Sequence, residues 1–112
     1  VFERENWGLA AVPERNLHPA RALPRLAADT PLDRVWLRVE HQAFHALPAA
    51  DGLLFIIHLT VHRLTDVLAD PVTCGRFADV LATMPDAMAG YKGIQPAREN
   101  LLAAVRRLPG GS

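Results

Sequence analysis

The sequence predicts an α+β fold, an antiparallel hairpin with one strand before it and helices after it, and three observations carry this reading. Residues 35–43 alternate Val35, Leu37, Val39 and Ala43 with Trp36, Arg38, Glu40 and Gln42, the two-residue period of a half-covered strand. Residues 53–62, LLFIIHLTVH, are rich in β-branched and aromatic types, as strands are. Beyond Pro71 the apolar residues fall at helical spacing.

Taken in order, residues 5–12, ENWGLAAV, read as a short strand ended by Pro13. Residues 13–33 carry Pro13, Pro19, Pro24 and Pro31, and each proline removes a donor and restricts the residue before it. That predicts a long connection with one helical turn around Arg21 to Ala28. The hairpin follows, with strands over 34–47 and 53–63 joined by a turn containing Asp51-Gly52. Val72, Phe77, Val80, Leu81 and Met84 predict a helix from Pro71 to Met84, stopped by Pro85. Asp86 to Tyr91 reads as one more turn ended by Gly93. Pro96 suits a first helical turn, and Leu101, Leu102, Val105 and Leu108 predict a final helix closed by Pro109-Gly110. Two C-terminal helices therefore follow the sheet. Outside the Pro-Gly-Gly-Ser tail there is no low-complexity segment.

A chain of 112 residues, half of them hydrophobic, suffices for one small domain over 1–112. Twelve basic and twelve acidic residues leave no excess positive charge, which argues against nucleic acid or an anionic membrane as partner. Cys74 is the sole cysteine, so neither an intrachain disulfide nor a CxxC zinc site exists, and a reducing cytoplasm fits. The longest apolar run, Leu53 to Ile57, is far short of the roughly 20 residues that a membrane span needs. No GxSxG, P-loop, HExxH, GxGxxG or EF-hand pattern occurs.

Five residues or pairs merit weighing. In the second hairpin strand, Phe55, Ile57, Leu59 and Val61 share one face, while Leu54, Ile56, His58, Thr60 and His62 share the other. His58 and His62 lie about 13 Å apart along a strand, too far to chelate one metal together, so each reads first as scaffold. His41 and His45 read as surface residues, and His18, alone in the loop, has no second ligand nearby. Glu40 is a mid-strand carboxylate sharing a face with Arg38. It is either half of a solvated ion pair or a carboxylate turned to a pocket, where it would hold a cation or an amine. In AGYKGI (89–94), a phenol and an ammonium sit in a Gly-bounded turn, whose plain reading has Tyr91 packed down and Lys92 solvated.

The segments NW (6–7), WLRVEHQAFHALP (36–48), LLFIIHLTVHRL (53–64), LATMPDAMAGYKGI (81–94) and NLLAAVRRL (100–108) together resemble the C-terminal half of the heme-dependent oxidative N-demethylase alpha-subunit family. The family pattern runs Asn-Trp, Leu-Arg-Val-Glu-Arg-Gln, Leu-Pro, Phe-x-Ile, a helix with a late Pro, and Tyr-Lys-Gly. Leu37-Arg38-Val39-Glu40, Gln42, Leu47-Pro48, Phe55, Ile57, Pro85 and Tyr91-Lys92-Gly93 match it in order and spacing. His41 stands where the pattern has Arg, and His58 where it often has Arg.

The resemblance implies a PAS-like antiparallel sheet and a heme-binding subunit of which this chain is the C-terminal part. Such a subunit oxidises a small amine with O₂. Electrons come from NADPH through a partner reductase carrying FMN and an iron-sulfur centre, and a folate-binding subunit takes the formaldehyde. The proximal heme ligand is then expected upstream of Val1, with His58 as the fallback within the chain. Glu40 becomes the candidate for receiving the substrate ammonium, and Tyr91 for a positioning or proton-donating hydroxyl. Arg38, His58 and Lys92 become the candidates for contact with the cofactor. Two other readings stay open: a non-catalytic heme or small-ligand sensor on the same scaffold, and a domain that binds nothing and dimerises.

Overall fold

A computed structural model describes residues 2–112, with all their side chains except that of Ala50. Three strands form one antiparallel sheet in the order β1 (Phe2–Ala10), β2 (Trp36–Leu47), β3 (Gly52–Arg63). Four helices follow, where the sequence predicts two with one further turn between them: a single turn α1 (Leu64–Val67), α2 (Pro71–Thr83), α3 (Asp86–Tyr91) and α4 (Arg98–Arg106). The α+β class and the hairpin are as the sequence predicts.

Three local expectations are corrected. β1 begins at Phe2 and ends at Ala10, because β2 is long enough to pair every residue back to Phe2↔Phe44 despite the charges at Glu3, Arg4 and Glu5. No helical turn forms over Arg21 to Ala28. Instead a 3-10 turn spans Pro19–Arg21, with His18 Nδ1 accepting from the Ala20 amide, and Ala22 then takes a left-handed conformation that ends it. A second 3-10 turn, Leu32–Arg34, replaces the first residues expected of β2.

In register, Trp7 and Leu9 of β1 oppose Val39 and Leu37 of β2, so these four share one face with Thr60 and His62 of β3. This helix face packs at one end on α1 and α2, where Trp7 meets Phe77 edge-on with ring centroids 6.1 Å apart. Val35, Leu64, Leu81, Ile94, Leu101 and Val105 are fully buried beneath it. Cys74 belongs to this core, with Sγ 3.7 Å from the Val105 carbonyl. The opposite, open face carries Arg38, Glu40, Gln42 and Phe44 beside Phe55, Ile57, Leu59 and Val61.

The helices are held by polar contacts at their ends. Asp70 caps α2, accepting from the Thr73 amide at 3.1 Å and from its hydroxyl at 2.6 Å. α3 ends in a Schellman turn: Gly93 has φ 70°, and the Ile94 amide donates to the Ala89 carbonyl, both residues fully buried. Arg98 donates to the carbonyls of Leu81 and Met84 at the end of α2 and to Asp86 at the start of α3. The tail is more than a flexible end. Gly110, at φ 87°, lies so close to Pro71 that a Cβ would meet its backbone, and Gly111 is similarly tight against the Val105 carbonyl.

Because the Arg98 side chain is largely buried among carbonyls, Arg98→Ala should lower unfolding free energy by about 1.5–3 kcal/mol. Urea denaturation reads this directly. A change within about 0.5 kcal/mol would show that these bonds merely replace equivalent ones to water.

Candidate functional site

Glu40 sits mid-way along β2, opposite Asn6 of β1 and Leu59 of β3. Strand alternation turns it to the open face with Arg38 two residues before and Gln42 two residues after. Gly8 lies opposite Arg38, and no atom comes within 4 Å of where its Cβ would be, so the floor beside Glu40 stays open. The turn after α3 brings Tyr91 and Lys92 over the β1 edge. The result is an open cleft of about 330 Å³ lined by Asn6, Gly8, Arg38, Glu40, Tyr91 and Lys92, with the Trp7 residue at its side.

The solvated Arg38–Glu40 ion pair, one of the two readings of Glu40, does not form. Arg38 donates to the carbonyls of Glu14 and Arg15 at 2.7 and 2.8 Å, so its charge fastens the 13–15 segment across the open face. Among the described residues Glu40 has no cation within salt-bridge distance. Its carboxylate accepts from Gln42 Nε2 at 3.1 Å.

The plain reading of AGYKGI is reversed. Tyr91 is 88 % exposed, whereas Lys92 is the residue held down. Its Nζ donates to the Trp7 carbonyl at 2.5 Å and to Asn6 Oδ1 at 3.1 Å, and lies 4.7 Å from the Trp7 ring centroid. Burial against the sheet edge lowers its pKa from the usual lysine value, and the charge of Glu40 partly offsets this.

Four of the five predicted site residues, Arg38, Glu40, Tyr91 and Lys92, thus line one cleft. His58 does not join them, because it pairs with His41 on the other face of the sheet. There the two imidazole centroids are 6.4 Å apart, and His41 Nδ1 is 3.2 Å from a Glu5 carboxylate oxygen. Sequence reasoning assigned no role to Gln42, the buried polar residue of the described set, at 8 % exposure. Its side chain joins two charged groups: Arg4 Nε donates to Oε1, and Nε2 donates to Glu40. Its place in the quoted pattern, two residues from Glu40 on one strand face, was the available signal.

The family model described as "haem-dependent oxidative N-demethylase, alpha subunit-like" matches residues 1–102, and the chain belongs to that family. No helix is long and apolar enough to cross a membrane among the described residues.

The Lys92 environment gives a test of the cleft's field. Its charged form is disfavoured in the fold, so between its lowered pKa and the ordinary lysine pKa the unfolded chain holds more protons and stability rises with pH. Glu40→Gln removes the opposing charge and should lower the Lys92 pKa further, as read by NMR titration of its Nζ. An unchanged pKa would show that the carboxylate and the ammonium do not feel each other.

Proposed function

We propose that this member of the heme-dependent oxidative N-demethylase alpha-subunit-like family is the part of a heme-binding amine-oxidising subunit that receives the substrate ammonium, and that Glu40 is its receptor. The observation that carries this reading is the Glu40 carboxylate, open to a cleft and without a cation of its own among the described residues. A carboxylate left so is ready for a charge-assisted bond to a small protonated amine. The consecutive antiparallel order β1-β2-β3 supports a PAS-like sheet.

Within the cleft each residue has separate work. Gln42 holds one Glu40 oxygen and leaves the other to the substrate. Tyr91, exposed at the rim, offers a positioning or proton-donating hydroxyl. Lys92 is committed to Asn6 and Trp7, so it shapes the wall and sets the local positive potential. Arg38 holds the 13–15 segment over the open face and acts on the cofactor side only through that segment.

Heme, when bound, supplies the oxidative chemistry with O₂. Among the described residues no three His, Cys, Asp or Glu side chains converge to hold a bare metal ion, but heme iron needs only one or two protein ligands. The exposed Phe55 and Ile57 side chains and the Arg4 guanidinium of the open face offer the apolar contact and positive charge that an anionic, largely apolar cofactor needs. His58 faces away from Glu40, so a heme ligated by His58 would not present its substrate side to this cleft. The reading therefore assigns the proximal ligand to a residue outside this chain. Electrons from an FMN and iron-sulfur reductase, and formaldehyde capture on a folate subunit, belong to the same reading.

In the full natural chain with heme bound, Glu40→Gln should reduce kcat/KM for a secondary amine by roughly ten- to more than a hundredfold, about 1.5–3 kcal/mol, with heme content unchanged. Wild-type turnover in this variant would return Glu40 to scaffolding. A protein that binds heme yet oxidises no amine with a competent reductant would favour the sensor reading.

A further inference from the structure

On the helix face of the sheet, away from the cleft, α1 and α2 leave the hairpin end uncovered, with Leu54, Ile56, His41 and His58 exposed. Glu5 of β1, His41 of β2 and His58 of β3 stand there in one row, because His41 is the register partner of both. Residues directly opposite on neighbouring strands carry Cβ atoms roughly 4.5–5.5 Å apart, so the sheet itself holds the three together. The imidazole centroids are 6.4 Å apart, and Glu5 Oε1 is 3.2 Å from His41 Nδ1. A hollow of about 370 Å³ opens over the row, with Glu3, Ala43 and Ile56 around it.

We infer that His41 and His58 bind one borderline divalent ion, Zn²⁺ in kind, with Glu5 orienting the His41 ring and water completing the coordination. The inference concerns the face opposite the Glu40 cleft and does not rest on the proposed function. Three observations carry it. The first is ring chemistry. A carboxylate beside Nδ1 keeps the proton of a neutral imidazole on that nitrogen, which leaves the Nε2 lone pair for a metal. The second is spacing. Zn–N distances of about 2.0–2.1 Å put the centroids of two imidazole ligands roughly 5 Å apart in a tetrahedral site. Both rings are exposed, so their side chains can swing in by the difference. Histidines four apart along one strand have no such option, and only the pairing of β2 with β3 creates it. The third is charge. Glu3 and Glu5 border the hollow, and among the described residues Glu3 has no cation within salt-bridge distance. Arg4 also borders it, but its guanidinium is held by Gln42 and lies over Phe44 on the open face. The local field therefore favours a cation, and imidazole selects the zinc class over Mg²⁺ or Ca²⁺, which take oxygen ligands. An ion held by both rings ties β2 to β3 near the hairpin turn.

The test titrates the full natural chain with ZnCl₂ by isothermal calorimetry and repeats the titration with MgCl₂. Wild type should take up one Zn²⁺ per chain with a Kd on the order of micromolar, and no Mg²⁺. His41→Ala and His58→Ala should each weaken Zn²⁺ binding by about tenfold or more, and Glu5→Gln by roughly ten- to a hundredfold. Circular dichroism confirms that each variant keeps the wild-type fold. His45→Ala and His62→Ala, on the same face but outside the row, should bind as wild type does. Wild-type protein that takes up no Zn²⁺, or that binds it equally well after His41→Ala and His58→Ala, overturns the site and leaves the amine-oxidising reading standing. Affinity that falls equally in His45→Ala or His62→Ala shows scattered surface binding and overturns it too. A Soret band of the hemin-loaded chain that is lost in His58→Ala assigns that ring to heme and has the same consequence.

Discussion

The pairing of β2 along both of its edges is the constraint on which the rest depends. Every residue of β2 from Trp36 to Phe44 has a partner on each side, so its two-residue alternation is locked into the whole sheet. A slip of one residue would exchange the faces, sending Leu37 and Val39 to solvent and Glu40 into the helical core. Burial of Leu9 and Leu37 with Trp7 against α2 makes that exchange unfavourable. The same lock places Arg38, Glu40, Gln42 and Phe44 in one row. The position of the carboxylate is thus a by-product of core packing on the other side of the sheet.

The helical layer completes the cleft from outside. Ile94 and Ala89 are buried together, which fixes the Gly93 turn. That turn aims Lys92 at the β1 edge and leaves Tyr91 free. Arg98 holds the end of α2 and the start of α3 in place, so the cleft wall rests on contacts far from any cavity. Stability and site geometry therefore share the same few polar side chains.

The parts of this arrangement legible in sequence are those set by short-range periodicity. The alternation of 35–43 and the β-branched run after Gly52 defined both hairpin strands to within two residues of their observed ends. Helical spacing and prolines did the same for α2. What could not be read was pairing. The register sets the apolar set of β3, Phe55 to Val61, beside the polar set of β2, Arg38 to Gln42, and no local pattern states this. For the same reason the sequence left open which face of β2 His58 would share. A pair between Arg38 and Glu40 was one open reading because they are neighbours on one face. Backbone carbonyls of the 13–15 segment instead took its guanidinium, and a sequence shows no such carbonyls. The 13–33 connection resisted prediction because prolines specify where helices stop, not what path replaces them.

The hold of Arg38 on the 13–15 segment reaches the far edge of the sheet as well. It carries Arg15 to β3, where Arg15 Nη1 takes the Leu59 carbonyl at 2.6 Å. An outermost strand with apolar residues on both sides invites further strands to add to it. Arg15 occupies the Leu59 carbonyl, so a strand added along that edge would have to displace this contact to pair there. One arginine-bound loop thus covers part of the edge along which another strand would pair.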